Sequence, residues 1–450
     1  MNLRDAVNYY NNLLTDEMGQ ISQAQMDLQL LKEGLFFGDR PLSNVLRPRF
    51  MTREQYRYLQ RAIRPLMSAF VKTHYAAIAD EKFRAQFGLM EWEQELAILN
   101  PGYKAPSPSS RLDTFFTPET NALYLTEYNA ETPAAPAYND ALTRAFLSMP
   151  VMGAFQRQYE VQPLPARHHM LHVILDAYKE WGGTERPTIA ILDWHNVPTY
   201  SEFVLFEKYF KSVGYDCLIA DPREVDYHNG KMYAQGKPFD IIYKRVLISE
   251  LVAQGGLDHP IIRAVRDHAV CMVNNFWCKI LYKKASLAVL SDEQNNALYN
   301  AEERQAIETH IPWTRVVAER RTQHRGTPVD LIPFIQNRKD HFVLKPNDDY
   351  GGRGIVLGWE ASQSVWEAAI KTAMESPTIV QERIVLPQEP YPSLINNEVV
   401  VYDRLFDTAP FIWNSDYVSS CLTRLSTDSL LNVTAGGGST VPTFIVEDRG

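Results

Sequence analysis

Cysteine is scarce in this chain of 450 residues: there are four, Cys217, Cys271, Cys278 and Cys421, with no Cys-x-x-Cys pair and no histidine at zinc spacing. That excludes a disulfide-stapled scaffold and a structural zinc module, and the thiols read as reduced and packed within apolar runs. Clustered positive charge is missing too. With a net charge of -9 and a pI near 5.7, the chain offers no basic patch to neutralise a nucleic-acid backbone. No apolar run reaches the length of a membrane span, and Met1 to Tyr10 lack a basic stretch leading into an apolar core, so a cytoplasmic protein is expected. Two phosphate-binding signatures are absent as well: Gly-Lys-Ser/Thr opening a helix, and Gly-x-Gly-x-x-Gly at a first βα turn. No repeat of fixed period and no low-complexity tract is found.

What is present is ample apolar material, 45% of the chain, enough for two or three packed units. Helical spacing runs through residues 1–35, and a Pro/Arg-containing link follows at 40–49. Thr52-Arg-Glu-Gln opens an amphipathic helix to about Ala79, with Pro65 as a candidate kink. Arg111–Phe116 and Ala122–Asn129 read as a hairpin, and Thr143–Trp181 as mainly helical. From 186 to 275, strands at Thr188–Asp193, Asp216–Ala220, Lys231–Tyr233 and Phe239–Arg245, with a helix at Ser201–Val213, predict an open, Rossmann-like α/β unit. Beyond Pro312 strands dominate, with one helix near Ser362–Glu375.

Chemistry concentrates in five places. In Phe342–Val356, Lys345 precedes Gly351, Gly352 and Gly354 between two apolar, β-branched runs. A lysine supplies point charge to phosphate oxygens, and the glycines allow backbone amides to approach them; the bland alternative is a tight hairpin turn. In the front hairpin, alternation places Arg111 with Asp113, and Glu127 with Asn129, each pair on one face. Two carboxylates and an amide are hard oxygen donors suited to Mg2+, with the guanidinium facing a transferred phosphoryl group. An ordinary solvated hairpin face is the competing reading. The third is Asn274–Leu290, read as one helix carrying Lys283 and Lys284, and the fourth is the strand Thr378–Val385. The fifth is the tail, with Arg404, Arg424 and the run Asn432–Gly438, where arginines could touch phosphate or a substrate carboxylate.

Taken from Lys283 onward, these elements resemble the ATP-grasp superfamily, whose order is a helical lysine, Lys-Pro before a glycine-rich hairpin, a Gln/Glu hinge, arginines, an asparagine and a Gly-Gly turn. The family then expects a helix, Arg/Asp and Glu-x-Asn. Here those parts stand at the front, as the helix from Thr52, Arg111-x-Asp113 and Glu127-Tyr-Asn129. The order resembles circularly permuted ATP-grasp proteins, and Glu127-Tyr-Asn-Ala-Glu-Thr-Pro133 looks most like the synthetase portion of the glutathionylspermidine synthetase group. The resemblance covers most of the chain past residue 50, though no amidase module with a cysteine nucleophile is found and the first 50 residues match nothing in the family.

The resemblance implies a circularly permuted ATP-grasp fold of α/β class with a Rossmann-like pre-ATP-grasp domain. Its divisions would be a helical extension at 1–50, helices and a metal hairpin at 51–185, the Rossmann-like domain at 186–275 and the nucleotide lobe at 276–450. It implies ATP bound by Lys283 and Lys345, Lys284 being the other candidate, with the turn Gly351, Gly352 and Gly354 over the phosphates. Gln381, Glu382, Arg383 and Ile384 would hold adenine, and Asn432 and Gly437 would close the nucleotide site. Mg2+ would sit on Asp113, Glu127 and Asn129, with Arg111, Arg404 and Arg424 as catalytic cations. Thr132 would lie near the acyl substrate; apart from the resemblance, Asp193, Lys244 and Arg245 end strands of the α/β unit, where open sheets bind ligands, and either line the substrate cleft or are plain solvated strand ends. The expected activity is ATP-dependent ligation of a small-molecule or peptide carboxylate to an amine. Alternatives are an inactive ATP-binding scaffold and a phosphotransferase. His168, His169 and His172, despite helical spacing, are expected to cap or coat the surface, and Trp181, Trp277 and Trp413 to pack.

Overall fold

The computed structural model describes residues 2–349, 352–427 and 438–449. Helices Leu3–Leu13 and Asp16–Glu33 come first. The capping box at Thr52 starts the helix Arg53–Ala79: the Thr52 side chain accepts from the Gln55 amide, and the Gln55 side chain from the Thr52 amide. Pro65 is carried inside this helix, and Tyr56, Leu59, Ile63, Leu66, Met67 and Phe70 form its buried stripe. The region predicted as mainly helical up to Trp181 is interrupted. After Pro136–Ser148 and Pro150–Phe155, the strand Tyr159–Pro163 pairs with Ser439–Asp448 before Arg167–Trp181 begins.

The central α/β stretch builds a parallel sheet of four strands in the order Cys271–Val273, Ile241–Lys244, Ile189–Leu192, Cys217–Ala220, with every one of these residues buried. Strands hidden on both faces read as continuous apolar runs, which is why Ile189–Leu192, Cys217–Ala220 and Ile241–Lys244 are visible in the sequence, while the three-residue Cys271–Val273 is not. Lys231–Ala234 was assigned to this unit but leaves it. It lies in a separate antiparallel meander with Val225–His228 and Lys237–Phe239. The turns decide this, since Asn229-Gly230 and Gln235-Gly236 all adopt positive φ, the geometry of two-residue hairpins.

A second four-stranded sheet runs Thr314–Val316, Thr378–Glu382, Phe342–Pro346, Val356–Leu357. Trp366, Ile370 and Ala373 of the helix Gln363–Glu375 are buried in its core. Among the described residues the largest sheet has nine strands and joins the two ends of the chain. Ser109–Thr117 of the front hairpin pairs with Ala409–Trp413, setting Arg111 opposite Phe411. Among the described residues no helix is long and apolar enough to cross a membrane.

Candidate active site

The hairpin register fixes the first wall. Arg111 is paired across from Asn129, and Asp113 from Glu127, so the four side chains share one face. The register then shifts after Asp113, where Thr114 pairs with Leu125. This bulge ends the regular ladder next to the carboxylates. Arg111 Nε lies 3.1 Å from Asp113 Oδ1, and Arg424 Nη2, from the other end of the chain, lies 2.7 Å from Asp113 Oδ2. Burial pushes the Asp113 carboxyl upward, but Arg111 and Arg424 together hold it well below the usual carboxylate range. Arg424 also meets Asp407 at 2.6 Å, which fixes its guanidinium plane.

The second wall comes from the Lys345 strand. Lys345 Nζ donates to Gln381 Oε1 at 2.7 Å and to the Thr126 carbonyl at 3.4 Å, reaching the front hairpin across more than two hundred residues of sequence. Burial, reinforced by the neighbouring Lys284 ammonium and opposed by Glu127, lowers its pKa to about 8. Lys284 completes the group, 3.0 Å from Glu127 Oε1 and bonded to the Asp349 carbonyl. Asp113, Glu127, Lys345, Gly352 and Arg424 thus line one cleft.

Lys283 does not face it. The expected single helix is two, Cys278–Tyr282 and Ala285–Ser291, broken at Lys283 with ψ 130. Asn347 causes the break, because its carbonyl takes the Lys284 amide at 3.0 Å and its Oδ1 takes the Ala285 amide at 2.8 Å. Lys283 turns inward instead, 2.7 Å from both Glu93 and Asp348.

The segment assigned to adenine is regular only to Glu382. Gln381 is committed to Lys345 and, through Nε2, to Thr314 Oγ1 at 3.0 Å. Glu382 pairs with Arg325 at 2.8 Å, and the Arg383 guanidinium lies over the Trp359 ring at 4.4 Å. A base entering here therefore meets the apolar flank of Ile384 and Leu386 rather than free side-chain acceptors on Gln381. Gly352 and Gly354 have φ of 78 and 66, and a Cβ on Gly354 would stand 2.7 Å from Pro346 Cγ, so that turn demands glycine. Gly351, Asn432 and Gly437 lie outside the described residues.

Arg404 is not among the described residues that line the cleft. Its strand pairs with Gln388–Ile395, which turns its guanidinium to Ser393, with Nη2 to Oγ at 3.2 Å.

Asp193, Lys244 and Arg245 do converge. They follow the carboxyl ends of two adjacent parallel strands at the point where strand order reverses, the place where open α/β sheets hold ligands. Around them runs the connection from Glu131 to Ala135, directly after Asn129. Arg245 Nη1 donates to the Pro133 carbonyl at 2.6 Å, Arg111 Nη1 to the Ala134 carbonyl at 3.0 Å, and Glu202 Oε1 accepts from the Ala135 amide at 2.8 Å. Lys244 lies 3.5 Å from Glu131, whose Oε1 also accepts the Ile248 amide at 2.6 Å. Thr132 rides on this strap, half-buried. Burial, opposed by Arg245, pushes the Asp193 carboxyl up to about 6.

Glu93, Glu131, Glu202, Lys279 and Asp348 were not singled out in the sequence. Glu131, Lys279 and Asp348 stood inside the runs Glu127–Pro133, Asn274–Leu290 and Phe342–Val356, whereas Glu93 and Glu202 carried no signal. Of the three helical histidines, His169 packs on Trp413 and bonds Ser419 Oγ at 2.8 Å, and burial lowers its pKa to about 4.

The donors suit ATP and Mg2+ in kind. Among the described residues no cluster of three or more His, Cys, Asp or Glu forms a closed metal cage. Asp113 and Glu127, with the Asn129 amide on the same face, instead offer the small oxygen set of a cation that completes its shell from water and phosphate. The Asn129 Nδ2 is buried without a hydrogen-bond partner.

No family model and no curated protein sequence matches the chain. Its fold does match a solved structure, the apo form of a glutathione synthetase-like effector from Globodera pallida. The TM-score is 0.62 over 96% of this chain and 99% of that one, at 12% identity. D-alanyl-alanine synthetase A from Vibrio cholerae gives a TM-score of 0.26 at 10% identity, covering 59% of this chain and 90% of that one, too loose a match to build on. The first likeness shows that the chain shares its overall fold with that effector.

Proposed function

We propose that this chain is an ATP-dependent carboxylate–amine ligase of the circularly permuted ATP-grasp type. The observation that carries the reading is that Lys345 and Arg424 from the back of the chain line one cleft with Asp113 and Glu127 from the front, Arg111 being paired with Asp113 and Lys284 with Glu127. Lys345 and Lys284 neutralise the triphosphate, Gly352 and Gly354 bring backbone amides close to it, and the chain at Ile384 receives the base. Asp113, Glu127 and Asn129 would hold Mg2+, which supplies charge neutralisation between phosphate oxygens. Arg111 and Arg424 stabilise charge on the phosphoryl group in flight.

The substrate carboxylate attacks the γ-phosphorus, breaking its bond to the bridging β–γ oxygen and displacing ADP, and the resulting acyl phosphate is captured by an amine with release of phosphate. Thr132 and the Asp193, Lys244 and Arg245 cluster position these two substrates, and the protein provides no covalent nucleophile. Asp193, titrating near neutrality, is suited to take the proton that the attacking ammonium must lose.

The test is nucleotide binding by calorimetry, followed by ADP release across a panel of carboxylate–amine pairs with product mass spectrometry. Weaker binding of the magnesium nucleotide and loss of ADP release are expected in Lys345→Met and Glu127→Gln, and unchanged turnover in either would remove the assignment. A second reading, ATP binding without turnover, draws on the two guanidinium groups that occupy both Asp113 oxygens. It predicts tight nucleotide binding with no ADP under any substrate pair.

A further inference from the structure

We infer that Lys279 is a positioning residue that links the nucleotide cleft to the substrate strap, an inference resting on the nucleotide reading above. Its side chain is 2% exposed and its Nζ faces three carboxylates: Asp348 Oδ1 at 2.8 Å, Glu131 Oε2 at 3.3 Å and Glu93 Oε1 at 3.5 Å. The ammonium donates hydrogen bonds to Asp348 and Glu131, and Glu93 is its third ion-pair partner. The three partners belong to different parts of the molecule. Glu93 is framework, since it also accepts the Met90 amide at 2.8 Å and pairs with Lys283. Glu131 opens the strap that carries Thr132. Asp348 stands three residues beyond Lys345, and its side chain is 24% exposed against 0% for the other two acids.

Lys244, Lys279 and Lys283 balance Glu93, Glu131 and Asp348 in number, so a change at one carboxylate is felt by the others. Burial raises the Glu131 carboxyl and the charge on Asp348 raises it further, whereas Lys279 and Lys244 draw it down. Glu131 and Asp348 therefore repel each other and compete for the same ammonium. Next to Asp348, the Asp349 carbonyl accepts from Lys284, the lysine that faces Glu127. A triphosphate attracted by Lys284 and Lys345 competes with that carbonyl and repels the adjacent Asp348 carboxylate. As Asp348 loosens its hold, Lys279 passes to Glu131, and the strap around Thr132 tightens. The nucleotide thus orders the substrate strap before substrate arrives.

Hydrogen exchange of the amides at 130–137 tests this in the full chain. Asp348→Asn, nearly isosteric and on a partly exposed side chain, is expected to slow their exchange about threefold or more, the scale of one strengthened charge-assisted contact. In a Lys279→Met background the same substitution is expected to change nothing. The magnesium complex of AMP-PNP, a non-hydrolysable probe, should reproduce the slowing in the natural chain and not in Lys279→Met. Unchanged or faster exchange in Asp348→Asn, or equal slowing with and without Lys279, overturns the link. Should Lys279→Met fail to fold, the single Asp348→Asn result decides it. If calorimetry shows no AMP-PNP binding to the natural chain, the nucleotide reading falls, while the two substitutions still judge the connection between the segments.

Discussion

Lys345 gives the most quantitative expectation. Burial and the Lys284 ammonium lower its pKa from 10.5 to about 8. A triphosphate against this ammonium favours the charged form and returns the pKa to its ordinary value or above. Binding is then coupled to proton uptake. At pH 9 the free protein holds the proton on about one Lys345 in eleven, so binding takes up about 0.9 proton; at pH 7 it takes up about 0.1. Affinity accordingly falls by about tenfold between pH 7 and pH 9 through this one group. The full span of 2.5 pKa units corresponds to about 3 kcal/mol. Calorimetric titrations of AMP-PNP with Mg2+ in two buffers of different ionisation enthalpy read both quantities. Lys345→Met is expected to bind more weakly, with no proton uptake and no pH dependence in this window. Equal affinity at pH 7 and pH 9, with heats that do not depend on buffer, would refute placing Lys345 against the phosphates. Without ligand the sign reverses for stability: below pH 8 the buried charge costs folding free energy, and that cost is relieved as pH rises from 8 toward 10.5.

The adjacent lysines should separate cleanly. Lys284→Met is expected to weaken AMP-PNP binding by more than about tenfold with little change in the urea midpoint, while Lys283→Met takes the nearer of two ammonium partners from the buried Glu93 and costs about 1.5–3 kcal/mol of stability in the same denaturation assay. Glu127→Gln is expected to lower the Mg2+-dependent part of nucleotide affinity by about 1.5–3 kcal/mol, with binding in chelator unaltered; an equal loss in chelator would mean that Glu127 serves only Lys284. His74 is buried beside Trp277, and burial lowers its pKa to about 3. Because its folded value lies below the unfolded one, stability is lost as pH falls from 6.5 toward 3, by about 1.4 kcal/mol per unit, and His74→Phe should flatten that part of the urea profile.

The parts of the site that could be read in the sequence are those where local geometry leaves no choice. A strand alternates with period two, so Arg111-Leu-Asp113 and Glu127-Tyr-Asn129 had to present their polar members on one face each, and the register of the hairpin then merged the two faces. Buried parallel strands such as Ile189–Leu192 announce themselves as unbroken apolar runs. Lys283 and Lys284 were beyond such reading. A continuous helix would turn two neighbouring lysines about 100° apart without saying which faces the cleft, and what decides it is Asn347, over sixty residues away, which caps a new helix at Ala285 and breaks the old one. Arg404 is a related case, since its strand pairs with Gln388–Ile395 and its guanidinium meets Ser393 of that partner strand. The acids on Lys279 show the same limit most sharply. Glu93, Glu131 and Asp348 each look like ordinary surface residues in their own segments, and only tertiary packing removes them from water and makes every charge depend on the next. A site assembled from both ends of a chain is therefore legible wherever one strand or one turn carries a whole chemical group. It becomes illegible where a single side chain is shared among segments, and the coupling between nucleotide and substrate would have to reside in such shared side chains.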